Sequence, residues 1–220
     1  MLFYRVMRRV TWVVLKVFFR FKVVGAERIP REGGLVAVAN HESFLDPFVV
    51  GVALMKRPPA TFLAAPWLYQ TRVAGTFCRW VGAIPAYGEG KEVIALRESI
   101  RVLQKGGTVA LFPQGGIDRD GVSGGAVFMA VKGQAALLPM HITGAGEALP
   151  TKKRWPRLFT PIRATVGPPI LPTDLNPPGV PTSKAVDRGV ELLAQALRVN
   201  GAATRTAPPP DAPAHHPRAE

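Results

Sequence analysis

Cysteine is almost absent from this 220-residue chain, where Cys78 stands alone. A single thiol excludes an internal disulfide and any metal site built on several cysteines, and it suits a reducing compartment. Cys78 lies among Phe77, Arg79 and Trp80, where a free thiol is ordinarily a small packed hydrophobe. Acidic residues are scarce as well, 15 against 28 Lys and Arg, which leaves a formal net charge of +13. Such an imbalance calls for an anionic partner, whether nucleic acid, anionic lipid or a phosphorylated substrate. No RNA- or DNA-binding motif occurs, so nucleic acid is not the expected one. Histidine is limited to 4 positions, and no ligands fall at metal spacing. Long apolar runs are missing too. Within residues 1–22 the longest uncharged stretch is Val10 to Leu15, far short of the roughly 20 residues a spanning helix needs. No small-residue cleavage site follows it.

What residues 1–22 do contain is an alternation of cations and bulky apolar residues. On a helical wheel Arg5, Arg8, Arg9, Lys16 and Arg20 share an arc of about a third of the circle. Phe3, Val6, Met7, Val10, Val13, Val14, Val17, Phe18 and Phe21 occupy the rest. A basic amphipathic helix of this kind lies in the membrane interface, and each cation near an anionic leaflet contributes about 1 kcal/mol. The other reading is a plain amphipathic helix packed on the domain, its cations in water. An anionic membrane surface is the partner expected, with the protein peripheral on the cytoplasmic face.

The chain is 47% hydrophobic, ample for one buried core, and its apolar runs are short and punctuated by glycine and proline. Strands are predicted over 35–39, 61–65, 82–86, 108–112, 137–142 and 162–166, with a further short one near Val23. Helices are predicted over 48–55, much of 67–80, 91–104, 126–132 and 184–199, with 144–161 a loop. Alternating strands and helices imply an α/β fold: a single domain over residues 23–200, with a largely parallel central sheet flanked by helices. The amphipathic helix at 1–22 precedes it. From Gly201 onward alanine, proline and charge dominate, and a disordered tail over 201–220 is expected.

Two places on this scaffold carry chemistry. The run Leu35 to Ala39 ends abruptly in Asn40-His41, and Asp46-Pro47 follows. On one helix, residues five apart would sit about 140° apart in projection. His41 and Asp46 therefore meet only if His41 lies in the strand-to-helix loop and Asp46 caps the following helix, with Pro47 at its first position. A neutral imidazole oriented by a carboxylate is a general base for a hydroxyl, worth ~10²–10⁴ in rate. A hydrogen-bonded loop histidine beside a capping aspartate is the structural alternative. Ser43 lacks the G-x-S-x-G surroundings of a nucleophile, and His141 sits inside an apolar strand. The second place is Phe112-Pro113-Gln114-Gly115-Gly116 at the end of a strand, a glycine-rich loop whose N–H groups could cradle a phosphate or an oxyanion.

Taken together, Asn40-His41 with Asp46-Pro47, Gly82-Ala83-Ile84-Pro85-Ala86, Phe112-Pro113-Gln114-Gly115 with Asp120-Gly121, and Leu138-Pro139-Met140 follow in order. The set resembles the four motifs of the glycerophospholipid acyltransferases of the lysophosphatidic acid acyltransferase type. The resemblance implies transfer of a fatty acyl group from an acyl-CoA or acyl carrier protein thioester to a lyso-lipid hydroxyl, without a cofactor or metal and without an acyl-enzyme. His41 would be the base and Asp46 its support, with Asn40, Phe112, Pro113, Gln114, Gly115, Gly116 and Arg119 about the substrate. The implied acceptor is 1-acyl-glycerol-3-phosphate, giving phosphatidic acid. Four positions depart from the family pattern, with Gly88, Gln114, Gly116 and Ile117 where arginine, glutamate, threonine and arginine are usual, and three of the four lose a charge. A lyso-lipid with a sugar or amino-acid head group is the alternative acceptor that these departures allow. A non-catalytic membrane-binding relative is the alternative from another class.

Overall fold

In the computed structural model of the chain, residues 2–86, 92–112, 124–150 and 155–206 are described. Helix α1 (Leu2–Phe19) leads into strand β1 (Lys22–Val24), a 3-10 turn (Ala26–Arg28) and strand β2 (Leu35–Ala39). Then come α2 (Asp46–Ala53), β3 (Thr61–Ala64), a second 3-10 turn (Pro66–Gln70), α3 (Arg72–Trp80) and β4 (Ile84–Pro85). The chain continues through α4 (Glu92–Gln104), β5 (Thr108–Leu111), α5 (Gly124–Gly133), β6 (Ala136–Thr143) and the short α6 (Ala145–Ala148). Strand β7 (Arg163–Val166), α7 (Pro172–Leu175) and α8 (Thr182–Thr206) complete it.

Among the described residues the strands form one sheet of order β1-β7-β6-β2-β5-β3-β4. Every pairing is parallel except β6 with β7. Parallel strands need crossover connections, and α2, α4 and α5 supply them, covering both faces as such a sheet requires. Strand β2 sits at the centre, with Leu35 in register with Thr108 of β5 and with Ala136 of β6. Its five residues are all buried, as their continuous apolar character predicts. Alternation then divides them: Leu35, Ala37 and Ala39 join the core beneath α1 and α2, while Val36 and Val38 join the one beneath α5 and α8. The carboxyl end of this central strand is where Asn40 and His41 leave the sheet.

Local differences from the predicted elements have physical causes. The 67–80 helix divides at Thr71, whose φ of −89° and ψ of 139° are extended. Asp46 is not an N-cap. Leu45 holds that place, and the Asp46 carboxylate turns back to the N–H groups of Glu42 and Ser43. The 144–161 loop opens with α6, entered through Gly144 at φ +81° with the Pro161 carbonyl against its Cα, so that no side chain fits. Helix α8 runs to Thr206, past the Gly201 at which the tail is predicted to begin, because Asn200 is buried and donates to the Pro139 carbonyl at 3.2 Å. Residues 207–220 lie outside the described residues.

Helix α1 distributes its residues differently from the wheel drawn on sequence alone. Tyr4, Arg8, Thr11, Leu15 and Phe19 face the domain, and Leu15 and Phe19 are buried in the core with Phe21. Arg8 is the exception among the predicted surface cations. Its guanidinium turns inward to the carbonyls of Arg57 (3.1 Å) and Met55 (3.2 Å). Arg5, Arg9, Lys16 and Arg20 stay exposed, and so does the ridge of Val6, Val10, Val13, Val14 and Val17. The helix thus has three faces: one packed, one cationic and one apolar but exposed.

A buried arginine fixes the amino end of the central strands. Arg57, 2% exposed, donates to the carbonyls of Pro30, Glu32, Gly33 and Gly106 and to the Thr108 hydroxyl. Five donors in a fixed fork suit such a hub, since one guanidinium can gather several carbonyls from different turns.

Candidate active site

The turn between β2 and α2 is built on one carboxylate oxygen. Asp46 Oδ2 accepts the N–H groups of Glu42 and Ser43, each at 2.7 Å, and lies 3.0 Å from His41 Nδ1. Because that oxygen is an acceptor, Nδ1 carries the proton and donates it, which leaves the basic lone pair of the neutral ring on Nε2. The Asp46 side chain is 1% exposed and that of His41 16%. Thus the predicted pair meets, through the loop geometry that its spacing demanded. Phe112, the residue after β5, stacks on the imidazole with ring centroids 4.1 Å apart and planes 15° apart. The ring is therefore held at its edge by Asp46 and on its face by Phe112.

Asn40 has a different task from the substrate contact expected of it. Its amide nitrogen donates to the Ile142 carbonyl (2.9 Å) and to Glu42 Oε1 (3.1 Å), and its oxygen accepts the Ile142 N–H (2.7 Å). Those contacts use both amide hydrogens, so Asn40 extends the β2–β6 pairing one residue further and anchors the turn. Ser43 is 0% exposed and donates its hydroxyl to the Leu149 carbonyl at 2.9 Å, which removes it as a nucleophile. His141 lies under Gly201 of α8, its Cε1 within 3.3 Å of where a Cβ would stand, and it belongs to packing. Lys132 reaches the Thr182 hydroxyl (3.2 Å), on the α5–α8 side of the sheet. Pro113, Gln114, Gly115, Gly116 and Arg119 lie outside the described residues, as do Gly88, Lys91 and Ile117.

His41 and Phe112 stand at a cavity of about 640 Å³ that sequence reasoning did not anticipate. Helix α1 contributes Tyr4 and Met7 to its wall, α2 Phe48 and Gly51, β3 Phe62, and α3 Phe77. The lining is predominantly apolar, the ordinary character of a ligand site with few polar groups. Gly51 keeps it open: a Cβ there would stand 3.7 Å from the Tyr4 hydroxyl and 3.9 Å from Phe62 Cζ. The wall gathers residues from α1, from the stretch 41–86 and from the end of β5, which lie far apart in the sequence, so no local pattern announces it.

Electrostatics in the wall follow from burial. The Tyr4 hydroxyl donates to the Ala60 carbonyl at 3.3 Å, and burial pushes its pKa above the ordinary phenol value, with Arg8 opposing. Burial lowers the Arg8 pKa, an effect that Tyr4 partly offsets. The Cys78 thiol, buried in the same wall, is pushed up by desolvation and only partly drawn back by Arg79. A thiol so shifted is packed and unreactive at neutral pH. Among the described residues, no group of three or more His, Cys, Asp or Glu could hold a metal ion, and no helix is long and apolar enough to cross a membrane.

Comparison with known proteins agrees with this architecture. A chloroplast protein of Arabidopsis thaliana named 1-acyl-sn-glycerol-3-phosphate acyltransferase LPAT1 is 28% identical over 141 residues, 61% of this chain and 39% of its own. The Bacillus subtilis protein named 1-acyl-sn-glycerol-3-phosphate acyltransferase is 28% identical over 134 residues, 60% of this chain and 67% of its own. The chain thus spans well under half of the chloroplast relative. The crystal structure of the 1-acyl-sn-glycerophosphate acyltransferase PlsC of Thermotoga maritima superimposes with a TM-score of 0.69 over 93% of this chain and 81% of that one, at 23% identity, a likeness of fold. The family profile described as Acyltransferase matches residues 20–143, more than half of the chain. That span holds β2, the His41–Asp46 turn and β6, and the chain belongs to the acyltransferase family.

Proposed function

We propose that this chain transfers a fatty acyl group from an acyl-CoA or acyl carrier protein thioester to the free hydroxyl of a lyso-glycerophospholipid at an anionic membrane surface. The acceptor is 1-acyl-glycerol-3-phosphate and the product phosphatidic acid. The observation that carries the reading is His41, oriented by Asp46, at the edge of an apolar cavity of about 640 Å³. Such a space suits an acyl chain, each buried methylene of which contributes about 0.8 kcal/mol.

In this reaction His41 Nε2 takes the proton of the acceptor hydroxyl, and the hydroxyl oxygen attacks the thioester carbonyl carbon. The carbon–sulfur bond then breaks, and the leaving thiolate takes the proton back from the imidazolium. Asp46 keeps the Nδ1–H bonded throughout and stabilises the transient cation. Ser43 is already committed to the Leu149 carbonyl, which favours direct transfer over an acyl-enzyme.

Membrane association draws support from the exposed faces of α1. Its valine ridge is 40–56% exposed and borders Arg5, Arg9 and Lys16, the arrangement of a helix lying in an interface on the cytoplasmic leaflet. A second acceptor reading rests on Gly88, Gln114 and Ile117, where the usual family charges are missing. It keeps the same chemistry on a lyso-lipid with a sugar or amino-acid head group.

One assay tests both. Purified protein is offered a panel of lyso-lipids with acyl-CoA and with acyl carrier protein donors, beside His41→Ala. Turnover of 1-acyl-glycerol-3-phosphate above the other acceptors is expected, with loss in the variant. Turnover confined to a different head group would move the assignment to it. Turnover on no acceptor, with lipid binding intact in the variant, would make this a non-catalytic relative.

A further inference from the structure

The segment that follows α6 is fastened to the end of α1. The Phe159 N–H donates to the Phe18 carbonyl at 2.6 Å, and the Ile162 N–H donates to the Phe19 carbonyl at 2.9 Å. The segment is also tied within itself and behind itself. The Thr160 hydroxyl donates to the Arg157 carbonyl (2.9 Å), and the Arg157 N–H to the Ala148 carbonyl (2.6 Å). Held by these bonds, it presents Trp155 at 83%, Leu158 at 49% and Phe159 at 59% exposure.

Phe159 has a φ of +63°, a region that bulky residues enter only against strain of order 1–3 kcal/mol. Strain of that kind is tolerable when the ring reaches the core, yet this ring stands outside it. An aromatic held outward at a strained position, beside an exposed tryptophan and leucine, has no role in the fold of the chain itself. The surroundings indicate its occupant. Arg157 is exposed within the segment, and Lys16 and Arg20 are exposed at the adjoining end of α1. Bulky aromatics flanked by cations match an anionic bilayer interface, where rings enter the headgroup layer and cations meet phosphate. A protein partner would instead meet a contact centre depleted in charge.

We infer that Trp155–Phe159 is a second membrane-inserting element, which acts beside the exposed ridge of α1 on one anionic bilayer. The inference rests on the membrane association proposed above and adds a contact that the amino-terminal helix does not supply. It also bears on orientation. Leu149, next to the Ala148 carbonyl that anchors the segment, accepts the Ser43 hydroxyl at 2.9 Å. The element therefore stands close behind the His41–Asp46 turn, and its insertion would orient that turn toward the lipid surface.

The test uses the full chain with vesicles of phosphatidylglycerol and phosphatidylcholine. In a Cys78→Ser background, Trp155→Cys carries an environment-sensitive fluorophore, and Val199→Cys on α8 carries it as a control. The control lies on an exposed position of a helix that packs on the opposite face of the sheet from α1. A blue shift at 155, quenched by spin-labelled lipid and absent at 199, is expected when vesicles are added. The triple variant Trp155→Ser, Leu158→Ser, Phe159→Ser should bind vesicles at least ~10-fold more weakly with an unchanged melting temperature, since it removes only exposed apolar surface. An unshifted probe at 155 on protein that co-sediments with the vesicles overturns this inference and leaves the membrane reading standing. Failure of the unaltered chain to co-sediment overturns both.

Discussion

A single oxygen, Asp46 Oδ2, receives the His41 Nδ1–H and two backbone N–H groups. Asparagine at this position would retain one acceptor oxygen but lose the charge that stabilises the imidazolium. It could also rotate an N–H toward Nδ1 and select the wrong tautomer. Asp46→Asn should therefore lower kcat by ~10²–10⁴ with a modest change in acceptor KM, which steady-state kinetics on the pure protein will measure. A KM effect alone would mean that Asp46 holds the turn and nothing more. The strand end and the spacing made this pair legible in the sequence. The two backbone bonds that Asp46 also accepts were not, because the turn closes through N–H donors of Glu42 and Ser43 that no residue pattern encodes. Gly51 makes the opposite case, a residue without chemistry whose place matters. Its missing Cβ faces Tyr4 and Phe62 across the cavity, at 3.7 and 3.9 Å. Gly51→Leu would fill that space and exclude the far end of a long acyl chain. With each lost methylene contact worth about 0.8 kcal/mol, or roughly fourfold, kcat/KM for long donors should fall by ~10–100-fold while short donors are spared. Equal loss across donor lengths would mean that the chain does not occupy this end.

At the scale of elements, α1 packs on the core and, in the function proposed, also meets the membrane, two tasks that call for opposite residues. Leu15 and Phe19 are 2% and 4% exposed and belong to the core, whereas Val13 and Val17 are 50% and 56% exposed. Leu15→Ala should cost about 2–5 kcal/mol of stability, visible as a lower midpoint in urea, because it leaves a cavity under the helix. Val13→Asp should leave that midpoint within ~0.5 kcal/mol and instead weaken vesicle binding. Reversal of these two results would turn the helix over. Removing residues 1–22 altogether would not separate the tasks, since Phe21 and the start of β1 go with them. The helix itself was legible, but the direction it faces was not. Arg8 lies within the cationic arc of the wheel, yet it turns inward because carbonyls of Met55 and Arg57 wait there. The regular elements were easier. β2 appears over the predicted residues because five apolar positions between glycines and Asn40 admit one register in a buried parallel sheet. β4 shrinks to two residues because, at the sheet edge, it pairs with β3 alone.

The whole molecule carries +13, and its exposed cations include Arg5, Arg9, Lys16, Arg20 and Arg157, close to the exposed apolar groups of α1 and of the 155–159 segment. The sum of charge was plain in the sequence, while the place of the 155–159 segment at the end of α1 depends on the backbone bond from the Phe159 N–H to the Phe18 carbonyl. The membrane association proposed above has two contributions, which respond differently to salt. Insertion of valine, tryptophan and phenylalanine is nearly insensitive to ionic strength. Attraction of those cations to an anionic leaflet contributes about 1 kcal/mol each at low salt and fades as the Debye length falls from ~10 Å at 0.1 M to ~3 Å at 1 M. Vesicle titrations across that range should raise the apparent Kd by ~10² or more, with a plateau at high salt set by the apolar contacts. Vesicles of phosphatidylcholine alone should show the plateau affinity at every salt concentration. A neutral Val13→Ser variant should weaken the plateau affinity without altering the slope, and charge reversal at Arg9 should flatten the slope without altering the plateau. If binding in anionic vesicles held constant from low to high salt, the net charge would serve something other than the bilayer, and the acyl acceptor's own phosphate would be the next place to look.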